Sequence, residues 1–173
     1  VGAHPDVIAR FFERFSDKPD PATARRPDSP VVTRHWRKAV ETARNETGPW
    51  HAHIIGRERR ECLSLIFRFG TGSTPRKHEI RIQECDGRVV FHSTAAGPAE
   101  VRKLSVDQIV RFTWGRNRKV DLVEFMLTPE LAIEGRVVQP IAALTFESFI
   151  YCTQTLAAFT DRLEYVIQQP DVY

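Results

Sequence analysis

The chain has 173 residues, 25 Lys and Arg against 22 Asp and Glu, and 42% apolar residues. That is one ordinary domain, able to bury a core without disulfides or metal. Its formal charge of +3 is too small to hold nucleic acid by bulk charge alone. The three cysteines, Cys62, Cys85 and Cys152, are far apart and form no C-x-x-C pair, so they read as reduced thiols of a cytoplasmic protein. No segment has the apolar length of a membrane span. The chain opens without Met and without a basic-then-apolar leader, so no secretion signal is expected.

In chain order, Val7, Ile8, Phe11, Phe12 and Phe15 recur at helical spacing and predict a short helix over Asp6–Phe15. Three phenylalanines on so short a helix need cover, which makes Phe11, Phe12 and Phe15 a candidate docking arm. Pro19, Pro21, Pro27 and Pro30 then fix φ and block regular structure. Residues 1–30 are therefore expected to be a helical arm with a Pro-rich linker, and residues 31–173 a single α+β domain. Thr33 to Asn45 reads as a helix with Trp36, Val40 and Ala43 on one stripe, and Trp50 to Arg57 as a first strand.

Leu63, Leu65, Phe67 and Phe69 alternate with Ser64, Ile66 and Arg68, the pattern of a half-buried strand. A loop over Gly70 to Pro75 leads to a second alternating run, His78 to Cys85. Asp86-Gly87 is a hairpin signal, because a type I′ turn needs φ > 0 at both central residues, and Val89 to Thr94 completes the hairpin. Leu104 to Trp114 is a helix with Ser105 as N-cap, Gln108 completing a capping box, a Leu104–Ile109 staple and Gly115 as its stop. Leu122 to Leu127 and Leu131 to Val138 are two further strands. Thr128-Pro129 separates them, Gly135 marks a bulge or turn, and Pro140 ends the second.

The last helix is expected over Phe146 to Gln168, capped by Thr145 and stapled by Leu144 and Phe149. Its stripe of Phe149, Cys152, Leu156, Phe159, Leu163 and Val166 steps by 3, 4, 3, 4, 3. Such a stripe packs on a sheet or forms a dimer seam; Phe149, Leu156, Phe159 and Leu163 are the candidate core or seam residues. Runs of adjacent strands between helices indicate an antiparallel sheet, hence α+β.

Catalytic patterns are missing: there is no G-x-S-x-G, H-E-x-x-H, Walker A or G-x-G-x-x-G sequence, and no cofactor is expected. The carboxylates Glu79, Glu84, Glu124, Glu130 and Glu134 have no nucleophile beside them in sequence. His51 and His53 share a strand face at a spacing that can bind a metal, but no carboxylate or cysteine stands next to them, and a polar strand edge accounts for them. Two basic clusters remain: Arg57, Arg59 and Arg60, and Arg116, Arg118 and Lys119 beside Trp114. Arginine with an aromatic ring can bind nucleic acid, and Arg116, Arg118 and Lys119 are equally candidate polar contacts to a protein partner.

The pattern from Ile109 onward is a helix with Ile109, Val110 and Trp114, then Asn117, two strands, a proline, and the helix start Leu144-Thr145-Phe146 with Phe149 and, late in the helix, Asp161. It resembles the C-terminal half of the YbjN family, whose fold is similar to that of type III secretion chaperones; the match lies mainly over residues 104–168. The resemblance implies a small α+β protein, often dimeric, that binds other polypeptides and carries no catalytic residues. The expected function is thus a non-enzymatic, chaperone-like or adaptor-like module with a polypeptide partner and a homodimer as one arrangement. The alternative is a nucleic-acid-binding domain using the loops 57–60 and 116–119, which requires them to converge on one face. A third reading, a small-molecule enzyme or carrier, requires an apolar cavity with convergent polar groups.

Overall fold

The computed structural model describes residues 29–45, 55–58, 62–69 and 76–169. Helix α1 (Pro30–Asn45) precedes strands β1 (Ile55–Glu58), β2 (Leu63–Phe69), β3 (Arg76–Cys85) and β4 (Arg88–Ala96). Three short helices follow: α2 (Pro98–Val101), α3 (Val106–Phe112) and α4 (Trp114–Asn117). Strands β5 (Glu124–Leu127) and β6 (Ile133–Pro140), a 3₁₀ turn (Ile141–Ala143) and the long helix α5 (Phe146–Gln168) complete the chain. The arm at Phe11, Phe12 and Phe15, residues His51 and His53, and the loop 70–75 lie outside the described residues.

The six strands form one antiparallel sheet in the order β1-β2-β3-β4-β6-β5. The α+β architecture is as the runs of adjacent strands predict. The β3–β4 turn has Asp86 at φ 50 and Gly87 at φ 70, both positive, as a type I′ turn demands. Chain order breaks once, where β6 pairs with β4 and leaves β5 at the edge. Strand pairings put Leu65, Ile80, Ile82, Phe91, Val137 and Phe125 on one face, and α5 lies across that face against β2, β3, β4 and β6. There Phe149, Leu156 and Leu163 are fully buried, each contributing on the order of 1.5–3 kcal/mol by leaving water, while Phe159 and Val166 are partly buried at the margin. Four of the six stripe residues, Phe149, Cys152, Leu156 and Leu163, are therefore core. A Thr145–Ser148 capping box opens the helix.

Helix α1 covers the β1–β2 end of the same face. Trp36 donates from Nε1 to the Ser64 carbonyl at 3.4 Å, and His35 Nε2 lies 3.1 Å from the Leu144 carbonyl. Gly56 is required beneath it, because a Cβ there would fall 2.1 Å from Val40 Cγ2.

Three expectations need correction. Strand β2 is buried on both faces, Ser64 and Ile66 included, so its alternation does not mark a half-exposed strand. Gly115 does not stop α3: the break comes at Thr113 (φ −102, ψ −82), and Gly115 lies inside α4. Gly135 neither bulges nor turns β6; the irregularity is in β4, between Thr94 and Ala96. Gly135 instead makes room for α5, since a Cβ would meet Leu156 Cδ1 at 2.8 Å and Phe125 Cε1 at 3.1 Å.

Candidate functional site

The excursion between β4 and β5 combines exposed apolar surface with concentrated charge. Helix α3 starts at the predicted capping box, with Gln108 N–H donating to Ser105 Oγ and the Ser105 N–H to Gln108 Oε1. Phe112 is buried, and Leu104 and Ile109 pack partly on the core. Val106 and Val110 on α3 and Trp114 at the start of α4 are exposed by 43%, 48% and 60%. These are three of the five large apolar side chains exposed among the described residues. A tryptophan this exposed loses the burial that normally offsets its large apolar surface. Residues 98–120 hold six cations (Arg102, Lys103, Arg111, Arg116, Arg118 and Lys119) against two carboxylates (Glu100 and Asp107). That leaves a local surplus of four positive charges.

Asn117 at the end of α4 closes the neighbouring sheet edge. Its side-chain Nδ2 donates to the Phe125 carbonyl at 2.9 Å, and its Oδ1 accepts from the Phe125 N–H at 2.7 Å. The side-chain amide thus takes the place of a further strand at Phe125, and blocks strand addition there.

Arg57 and the cluster at Arg116, Arg118 and Lys119 do not converge. Arg57 lies on β1 at one edge of the sheet, and α4 packs on β5 at the other. Five strand spacings separate these edges, on the order of 24 Å. Arg59 and Arg60 lie outside the described residues. Arg118 and Lys119 are exposed and Arg116 is half-buried.

A second constellation lies where β3 meets the C-terminal half of α5. His78 faces inward with its side chain 1% exposed, and its Nε2 is 2.9 Å from Glu164 Oε2 and 3.3 Å from Asp161 Oδ1. Neither ring nitrogen has a partner in hydrogen-bond geometry. Arg76 grips Asp161 with both arms of its fork, Nε to Oδ1 at 2.6 Å and a terminal nitrogen to Oδ2 at 2.8 Å. Phe69 meets the imidazole edge-on at 5.8 Å. Burial pushes the His78 pKa below its ordinary value, against the opposing pull of Glu164 and Asp161. Sequence reasoning missed this group. The available signal was a histidine in phase with the inward-facing Ile80 and Ile82, and two carboxylates three residues apart on one helix.

On the opposite face Arg81 pairs with Glu134, Arg136 pairs with Glu124 at 3.0 Å, and His92 lies 3.7 Å from Glu134. Burial lowers the His92 pKa to about 4. The thiol of the buried Cys152 is pushed up to about 11 by burial, which makes it a poor nucleophile. No helix of the described residues is long and apolar enough to cross a membrane.

No family model matches the chain, and no curated protein sequence matches it. Among solved structures, its fold is similar to the crystal structure of YbjN from E. coli, at 14% identity and a TM-score of 0.48, covering 78% of this chain and 88% of that one.

Proposed function

We propose that the chain is a non-enzymatic interaction domain that docks an amphipathic, acidic segment of a partner protein on α3 and α4. The observation that carries this reading is the exposure of Val106, Val110 and Trp114 in a segment with a local surplus of positive charge. Exposed apolar side chains on two adjoining helices suit a partner presenting its own apolar face, with Trp114 as the principal anchor. Exposed Arg111, Arg118 and Lys119 favour carboxylates beside that face and speed encounter with them. Because Asn117 occupies the β5 edge at Phe125, docking uses the helical face and not an added strand there.

The test is selection from a displayed random-peptide library, followed by affinity measurement on synthetic peptides. Enriched sequences should be net negative with apolar residues at helical spacing, and Trp114→Ala should weaken them about tenfold or more, the loss expected of a hot spot. Enrichment indifferent to Trp114→Ala would sink the reading. So would retention of nucleic acid alone, released steeply as salt rises.

A further inference from the structure

We propose that His78, Asp161 and Glu164 form a binding site for a divalent metal ion of the zinc class, joining strand β3 to the C-terminal half of helix α5. This is independent of the α3–α4 reading, since the site is built from other elements.

The donors are an imidazole nitrogen and two carboxylate oxygens, and these three atoms all lie within 4.8 Å of one another. Bonds of roughly 2.0–2.2 Å to a shared ion place neighbouring donors about 3.0–3.5 Å apart. His78 Nε2 is 2.9 and 3.3 Å from its two carboxylate oxygens, so little movement separates these atoms from the edges of a coordination polyhedron. Asp161 and Glu164 stand three residues apart on α5 and so share one helix face, the face turned to His78.

The second observation is the imidazole itself. A side chain 1% exposed, whose Nε2 meets two carboxylates outside hydrogen-bond geometry and whose Nδ1 has no partner, leaves buried polar atoms poorly satisfied, a condition that proteins rarely tolerate. A metal on Nε2 removes part of that deficit. Arg76 supplies what a ligating carboxylate ordinarily has, an outer partner that fixes its orientation. The contact from Phe69 holds the ring at its edge. Glu164 also borders a small cleft of about 240 Å³ that Thr94, Gly97, Glu100 and Gln168 line. Water from that cleft completes the coordination. The mixed nitrogen–oxygen set selects zinc, cobalt or manganese over calcium or magnesium, which prefer all-oxygen shells.

The probe is Zn²⁺ added to the tag-free full chain, followed by calorimetry, with Co²⁺ absorbance as a second readout. One ion per chain is expected, together with a rise in melting temperature. Asp161→Asn and Glu164→Gln should each weaken Zn²⁺ at least tenfold, and Glu147→Gln, an exposed carboxylate at the other end of α5, should not. No stoichiometric Zn²⁺ binding, or binding unchanged in both ligand variants, would overturn the site. Should a variant fold poorly, the ring ¹⁵N resonances of His78 in the unaltered chain decide: Zn²⁺ must shift Nε2, and unmoved resonances refute the proposal.

Discussion

Helix α5 and the α3–α4 segment both carry apolar residues at helical spacing, and the two sets meet opposite fates. On α5, Phe149, Leu156 and Leu163 are completely buried, and Gly135 lets Leu156 come into contact with β6. On α3 and α4 only Phe112 is buried outright, with Leu104 and Ile109 packed partly on the core, and Val106, Val110 and Trp114 face outward. Spacing tells which side of a helix is apolar; what covers that side depends on the surface opposite. The stripe that looks most like a coiled-coil seam is mostly core. The surface open to a partner lies on the shorter, interrupted helices.

The contrast breaks most visibly at Phe149. Phe149→Ala should cost about 3–5 kcal/mol, read as a lower denaturant midpoint, while peptide docking by the folded fraction stays unchanged; a loss near zero would mean that α5 is not the principal cover of the sheet. Acid tests the sheet side next. The His92 pKa lies at about 4 in the folded chain, below its ordinary 6.5. Between those values the unfolded chain takes up a proton that the folded chain refuses, so stability falls as pH drops from about 6.5 to about 4, by up to about 3 kcal/mol. Chemical denaturation across that range should show the decline, and His92→Gln should flatten it. His78 shifts in the same direction, so some acid sensitivity remains in that variant.

A smaller effect is expected at the edge. Asn117→Ala removes both partners of the Phe125 backbone, at a cost of about 1–3 kcal/mol. Light scattering should also show association that grows with concentration, and a variant as stable and monodisperse as its parent would remove the edge-guard role. Smallest is Trp114→Ala, with a stability change within about 0.5 kcal/mol in thermal melts; a large loss would place Trp114 in the core and end the contrast.

Much of the fold was legible because its signals are local. The Thr145 cap marks the start of the last helix, which runs over 146–168 as expected. Ser105 and Gln108 fix the start of α3, and Asp86-Gly87 fixes the hairpin. The role of Gly135 was not legible, because it depends on which helix crosses β6 and how closely. Nor was the burial of both faces of β2, since alternation in residue type does not determine what lies over the second face. The His78 group joins the start of β3 to the end of α5, so no motif of fixed spacing contains it. The two basic clusters look alike in sequence, and only strand order separates Arg57 from the cluster at 116–119. Asn117 entered the reading through a resemblance, while its task, completing the backbone pairing of Phe125, emerges from the geometry.

The Asp86–Gly87 turn also bears on the order of folding events. Strands β3 and β4 are joined by two residues that already prefer the required backbone, so their pairing costs little loop entropy and closes on a scale of about 1–10 μs. Pairing β4 with β6 must wait for all of α2, α3, α4 and β5 to be gathered in between. The hairpin is therefore the natural early nucleus, and the closure of β6 under α5 the late, rate-setting step. Substitutions at Gly87 should then slow refolding, whereas those at Gly135 should chiefly speed unfolding.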